Sequence, residues 1–390
     1  MTTHACSAGQ KMEVSGALKR LVSWFLDSGI QDDLPTSTSF GGYRAWYDAE
    51  ARDYSFSYPE ITGYALSTLS YLLRAGSDGA DITSRMDMAY RYIRRTCFSQ
   101  DGGHLEIGYL SSGNFSADRK FSFDAGMVLK GLLDLSATRR DADLVSYCVA
   151  IAEWLLGMQK RDGSFFPIFD AGLGSTFESR ERWSSQPGSY HGKLAIPLLA
   201  LYATNRRPRY RESAIRLLDW VLGKQTGDGR FRTCERHADT FLHAHCYSLE
   251  GLLFGALRVG KQEYYRGVDA GLRWLLRLWD RVGYFPSTVS CDDSFCHQER
   301  MDVLGQVLRL LAVSCAEGIV DRAEIESCCS YLLSRLEAYI CKDEDVRANN
   351  GVFFAETVRH VNSWATMFAI QGLSEWLRID ETRGFCGVII

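Results

Sequence analysis

The sequence predicts an all-α protein, a two-layered ring of six helical hairpins that fills residues 1–390 as one domain. Three observations lead there. Helical periodicity recurs from end to end, whereas strand-like alternation is scarce. The helices alternate between two kinds, one charged along a single face and one rich in Gly, Ala, Ser and aliphatics with little charge. Turns of a shared, glycine-centred form follow the charged helices, and each low-charge helix opens on polar residues.

The first helix is expected from about Val14 to Leu26, where Lys19, Arg20 and Ser23 make it amphipathic and unlike a signal-peptide core. A long polar connection, residues 27–57, carries Tyr43 and Trp46 and is long enough to fold over the mouth of a cavity. The charged helices then read as Ile82–Thr96, Ala142–Met158, Arg209–Lys224, Glu263–Trp279 and Arg322–Ile340. Each has one apolar stripe, such as Leu217, Leu218 and Trp220, with Arg, Asp and Glu opposite. These form the outer layer.

The low-charge helices start at Tyr58, Phe123, Tyr190, Thr240, Arg300 and Asn362. Helices covered on most sides have this composition, and small residues let helix backbones approach, so these six form the inner layer. Pro197 is expected to kink the third. The linking turns are Gln100 to Leu105, Gln159 to Phe165, Gln225 to Phe231, Trp279 to Phe285 and, more loosely, Asn350 to Phe354. Their glycines reverse the chain and an aromatic pins the returning segment. Aligned inner starts recur every 53 to 67 residues, one hairpin per unit.

Composition excludes several classes. With 46% hydrophobic and 24% charged residues the balance is that of a globular protein. A net charge of −4 and the lack of a long basic run argue against nucleic acid. No stretch approaches a bilayer span of roughly 20 apolar residues, and a cytoplasmic location is expected. The twelve cysteines read as reduced thiols. Cys291, Cys296 and His297 form a metal-like cluster, but their spacing is not that of a zinc site, so no metal is assigned. No nucleotide or flavin fingerprint occurs, and no organic cofactor is expected. Nothing in the sequence fixes an oligomeric state.

Six two-layer units with the alternation and turns quoted above resemble the (α/α)6 toroid class. That class includes six-hairpin glycosidases, sugar 2-epimerases, polysaccharide lyases and uronyl C5-epimerases. The resemblance spans nearly the whole chain and is architectural, with no family-specific motif matched. The Asp-x-Asp-Asp motif of protonating triterpene cyclases is absent, as are the zinc-holding Cys and Cys-His motifs of lanthionine cyclases. The resemblance implies a cavity where the inner helices begin.

Aligning the six starts places Glu60, Phe123, Tyr190, His243, Met301 and Trp364 at one level. Ile61, Asp124, His191, Ala244, Asp302 and Ala365 lie one residue on, followed by Thr62, Ala125, Gly192, His245, Val303 and Thr366. Candidate catalytic residues are therefore Glu60, Asp124, His191, His243 and Asp302. Candidate substrate contacts are Trp46, Tyr58, Tyr190, Lys193, His245, Tyr247, Arg300, Asn362 and Trp364. Each acid also has a plain alternative as a first-turn residue favouring the helix dipole. His243 and His245 point roughly 200° apart on a helix, so only one faces the lumen comfortably, and the alignment favours His243. A lysine in a low-charge helix, Lys193, needs a partner or an anionic ligand.

The leading expectation is a glycoside hydrolase using paired carboxylates from among Glu60, Asp124 and Asp302 on an acidic sugar. The alternative is a uronic-acid epimerase or lyase, with a His, Lys or Tyr base and cationic groups on the enolate-like intermediate. His191, Lys193, His243, Tyr247 and Arg300 suit that chemistry. A catalytically silent toroid that binds a glycan or a protein is the third reading.

Overall fold

A computed structural model describes residues 8–77, 79–101, 104–107, 119–139, 141–179, 182–233 and 238–380. Outer helices are α1 (Ala8–Asp27), α3 (Gly79–Cys97), α5 (Ala142–Met158), α7 (Pro208–Leu222), α9 (Gln262–Val282) and α11 (Arg322–Ala338). Inner helices are α2 (Pro59–Arg74), α4 (Ser122–Ser136), α6 (Ala195–Asn205), α8 (Leu242–Val259), α10 (Met301–Ala316) and α12 (Ser363–Leu377). Each of the first five inner helices packs on the outer helix that follows it, while α12 packs on α1 and closes the (α/α)6 toroid. No helix among the described residues is long and apolar enough to cross a membrane.

Glycine explains how six helices share one narrow axis. The inner helices approach as three close pairs, α2 with α4, the α6 segment with α8, and α10 with α12. Gly63 and Gly305 are each the fifth residue of their helix, and Gly131, Gly251 and Gly372 are each the tenth. A Cβ on Gly131, Gly251 or Gly372 would collide with the carbonyl of Gly63, Gly192 or Gly305 respectively. These are backbone-on-backbone contacts that any side chain would break.

The third inner element is split as its proline requires. Residues Ser189–Leu194 form a 3-10 helix, and the α-helix begins only at Ala195. Pro197 has no N–H for the preceding turn and its ring crowds the Lys193 carbonyl, so the tighter winding takes over there.

Short strands of two to five residues line the connections, a feature too brief to show as alternation in the sequence. Residues Trp46–Asp48 of the first long connection pair antiparallel with Val358–Asn362 of the last, Trp46 opposite Asn362. The connection 27–57 is thus zipped to the other end of the ring.

The turns repeat one device. The Gln159 side-chain amide donates to the Gly163 carbonyl and to the Ser213 carbonyl of α7, both at 3.0 Å. Gln225 does the same for Gly229 at 2.9 Å and Gly267 of α9 at 2.8 Å. Gln31 ties Gly41 to Arg85 of α3, which the sequence hid because ten residues separate that glutamine from its glycine. All three glycines have positive φ, from 87° to 96°. The turn at Gly102 and Gly103 lies outside the described residues.

Candidate active site

The polar helix starts converge on one cavity of about 260 Å³ to which all six inner elements contribute. Glu60 and Tyr64 come from α2, Phe123 and Asp124 from α4, and Tyr190 from the 3-10 helix. His243 and Tyr247 come from α8, Arg300 from the residue capping α10, and Trp364 from α12. Tyr58, the residue before α2, completes the acidic wall.

That wall is a bridged pair of carboxyl groups. The Tyr58 hydroxyl donates to Asp124 Oδ2 at 2.8 Å and also interacts with Glu60. Burial pushes the half-buried Glu60 up to about 7, offset in part by the Tyr58 hydroxyl and the Lys193 charge. Burial, and then the charge of Glu60, hold Asp124 well above the usual carboxylate range. Two acids against one phenol do not both ionise readily near neutrality, so the pair retains a proton. The phenol gives its hydrogen to Asp124, which favours the ionised form of that acid against burial and the charge of Glu60.

The facing wall is a bidentate ion pair that carries a histidine. Arg300 Nε and Nη2 lie 3.1 and 2.6 Å from the two carboxylate oxygens of Asp302. Its Nη1 lies 3.1 Å from His243 Nδ1. A guanidinium only donates, so Nδ1 accepts and the ring hydrogen sits on Nε2. Burial and then the Arg300 charge hold His243 well below the ordinary histidine range, which keeps the ring neutral.

Under the floor formed by Tyr64 and Tyr247 runs a buried polar layer. Lys193 Nζ lies 2.8 Å from Glu250 Oε2 and sits over Tyr247, Tyr64 and Phe368, 4.3 to 5.0 Å from the ring centroids. Glu250 also pairs with Arg309, which bonds Gln371, and Gln371 reaches Thr68 at 3.4 Å. Burial lowers Lys193 to about 8, despite the raising effect of Glu250.

Of the residues nominated from sequence, the structure brings together Glu60, Asp124, His243, Tyr58, Tyr190, Tyr247, Arg300 and Trp364 around the cavity. It places six elsewhere. Asp302 is fully buried and spent on Arg300. Lys193 has its partner in Glu250, one helix away beneath the floor. His191 turns behind Tyr190 toward Phe165, buried and held to about 3 by desolvation. The Nδ1 atom of His245 accepts the Phe231 N–H at 3.3 Å and its ring packs on Trp274 of α9, facing the outer layer. Thr62 and Thr366, level with His245 in the alignment, accept the Tyr43 and Val352 N–H groups in the same way, both at 3.0 Å. His245 is therefore a strut between layers. Asn362 caps α12, its Oδ1 accepting the Ala365 N–H at 3.0 Å. Trp46 stacks on His360 at 4.7 Å and meets Phe56, whose ring in turn lies against Tyr58.

Trp183, Phe121, Phe123 and Tyr64 line the cavity without having been nominated. Trp183 stands edge-on to His243 at 4.6 Å and to Tyr190 at 5.0 Å. Its one sequence signal was a tryptophan in a polar connection. Cys291 and Cys296 are exposed, His297 meets the Tyr284 hydroxyl at 3.0 Å, and no cluster of metal-ligating side chains occurs among the described residues.

No family model and no curated protein matches the sequence. Solved structures do match the fold. The cellobiose 2-epimerase from Bacillus thermoamylovorans B4167 superposes with a TM-score of 0.75 at 12% identity, over 93% of this chain and 99% of that one. The cellobiose 2-epimerase from Spirochaeta thermophila DSM 6192 gives 0.74 at 12%, over 96% and 98%. An unsaturated glucuronyl hydrolase specific for heparin gives 0.66 at 11%, over 95% and 98%. The chain shares the toroid of these carbohydrate-active enzymes across nearly its full length.

Proposed function

We propose that the chain is a glycoside hydrolase acting on a short oligosaccharide through Glu60 and Asp124. The observation that carries this reading is the Tyr58 hydroxyl set against two carboxyl groups that burial raises, so that the pair can hold a proton in the cavity. Glu60 protonates the leaving oxygen. Asp124, ionised and supported by Tyr58, acts on the anomeric carbon. Two groups bonded to one phenol oxygen at an ordinary angle lie about 5 Å apart. That supports the shorter spacing of double displacement, with retained configuration. His243, as an Nε2–H donor, binds a sugar oxygen, and the Trp183, Trp364 and Phe123 rings suit the faces of a pyranose.

A neutral sugar is favoured over an acidic one. Neither cation expected at the mouth stands unpaired there: Arg300 is bound to Asp302, and Lys193 lies beneath the floor on Glu250, which it shares with Arg309. The cavity of about 260 Å³ suits one or two rings, in keeping with the cellobiose of the neighbours' names.

The fold neighbours give an epimerase reading its own support, since a neutral histidine does lie on the cavity wall. Against it, Arg300 occupies the lone pair of Nδ1 and Nε2 already bears hydrogen, so His243 is poorly disposed to abstract a proton. Incubation with defined neutral oligosaccharides in deuterated water, read by mass spectrometry and anomeric NMR, decides. Cleavage with retention, lost in Asp124→Asn and Glu60→Gln, is the expected result. Deuterium at carbon without cleavage replaces the hydrolase by an epimerase, and no turnover with undiminished binding replaces it by a glycan-binding toroid.

A further inference from the structure

The polar layer beneath the cavity floor does not balance within itself. Lys193, Glu250 and Arg309 are all fully buried. Lys193 Nζ lies 2.8 Å from Glu250 Oε2, and Arg309 holds the other oxygen, Oε1. Among the described residues Glu250 is the only carboxylate within ion-pair distance of either cation. The groups that complete the layer, Gln306 on Glu250 and Gln371 on Arg309, are neutral amides. Two cations therefore stand against one acid. The excess lies toward the acid pair of the cavity. Lys193 Nζ is 4.8 Å from the centre of the Tyr64 ring and 4.3 Å from that of Tyr247, and both rings line the cavity. Glu60 stands four residues before Tyr64 on α2, so the two share a helix face one turn apart. Burial raises both acids, but the Lys193 charge opposes that rise at Glu60, whereas Asp124 on α4 feels the charge of Glu60 instead.

We infer that Lys193 is a positioning residue whose charge, acting through the floor of Tyr64 and Tyr247, balances the Glu60 carboxylate that forms when Glu60 gives up its proton. This role rests on the hydrolase reading. In that reaction the Glu60 proton passes to the leaving oxygen, the anomeric C–O bond breaks, and an Asp124 carboxylate oxygen bonds the anomeric carbon. The single negative charge of the pair thereby moves from Asp124 to Glu60, the acid that Lys193 favours in its ionised form. A cation already fixed there stabilises the developing charge without any reorganisation. The rings of Tyr64, Tyr247 and Phe368 around Nζ favour the charged ammonium in a place closed to solvent.

Carbon-13 NMR of the full chain, labelled at the glutamate side-chain carboxyls, reads Glu60 directly, with Glu60→Gln identifying its signal. Lys193→Met leaves Glu250 and Arg309 as a balanced pair, so the variant is expected to fold and to raise the proton affinity of Glu60 about tenfold or more. Lys193→Arg keeps a cation behind the floor and should hold that affinity within about threefold of the parent. Arg309→Met removes one charge from the layer but none from behind the floor, and should do the same. Should Lys193→Met not fold, Lys193→Gln, which keeps a donor for Glu250, takes its place. On the neutral oligosaccharides that the parent cleaves, Lys193→Met is expected to lower kcat about tenfold or more and to carry the basic limb of the pH–rate profile to higher pH. An unchanged Glu60 titration in folded Lys193→Met, or an equal displacement in Arg309→Met, overturns the assignment. A raised proton affinity in a chain whose parent cleaves no glycan upholds the counter-charge and removes only the hydrolase reading.

Discussion

Arg300 holds its Nη1 3.1 Å from His243 Nδ1 while its other guanidinium nitrogens engage both oxygens of the buried Asp302. One side chain thereby balances a buried charge and fixes the tautomer of a cavity histidine. These two duties separate by substitution. Arg300→Ala strands Asp302 and is expected to lower unfolding free energy by about 3–5 kcal/mol. Arg300→Lys keeps a cation by Asp302 but loses the forked geometry, so stability recovers in large part while turnover does not. Denaturant unfolding beside kcat on the same preparations tests this. Equal stability losses in the two variants would falsify the division.

The acid pair makes stability depend on pH in a stated direction. Glu60 keeps its proton up to about 7 in the fold but follows its ordinary value of 4.5 once unfolded. Between those limits the folded state alone binds the proton, so stability declines as pH rises and levels off above about 7. Glu60→Gln removes this part of the decline and should gain on the parent across that window. Melting temperatures of both proteins between about pH 4 and 8 check it; parallel curves would show that Glu60 titrates normally.

Turnover should respond more sharply than stability to the same residues. Asp124→Asn and Glu60→Gln are each expected to lower kcat by about 10²–10⁴-fold. Tyr58→Phe leaves both carboxyls in place but removes the shared hydroxyl, so its expected mark is a displaced pH–rate profile. An unshifted profile with reduced kcat would reduce Tyr58 to a packing role.

His243 and His245 should part company on mutation. His245→Ala leaves the Phe231 N–H without its acceptor in a buried place and is expected to cost about 1–3 kcal/mol of stability. Its kcat per folded molecule should stay near the parent value. His243→Ala should reverse that pattern. A catalytic defect in folded His245→Ala would refute the strut assignment.

Glycine pairing predicts an asymmetric alanine scan. Gly131→Ala, Gly251→Ala and Gly372→Ala each drive a methyl into a facing backbone, with expected losses of about 1–3 kcal/mol or more. Gly157→Ala in α5 meets nothing within 4 Å and should stabilise by roughly 0.5–1 kcal/mol. Thermal melting of the set checks the contrast.

The toroid was legible because low-charge and charged helices alternate throughout, and the level of Glu60, His243 and Trp364 followed from where apolar periodicity begins. What escaped was local rotation and distant pairing. The Arg300–Asp302 pair spans only two residues, yet it forms because Arg300 is extended, with φ −120° and ψ 129°, just before α10 starts. A 3-10 helix advances about 120° per residue where an α-helix advances about 100°, and His191 was accordingly misaimed. The partner of Lys193 lies on another helix at Glu250, and Trp183 sits in a connection with no periodicity to read.

The packing of α12 on α1 gives this molecule an order of assembly. The outer and inner members of its sixth hairpin, α1 and α12, stand first and last in chain order among the twelve described helices of the ring. Until α12 arrives, α1 has no inner partner, α10 has no glycine mate at Gly372, and the cavity lacks the wall that carries Trp364. A growing chain is thus an open arc with two unpaired apolar flanks. The site becomes whole only when α12 closes the circle.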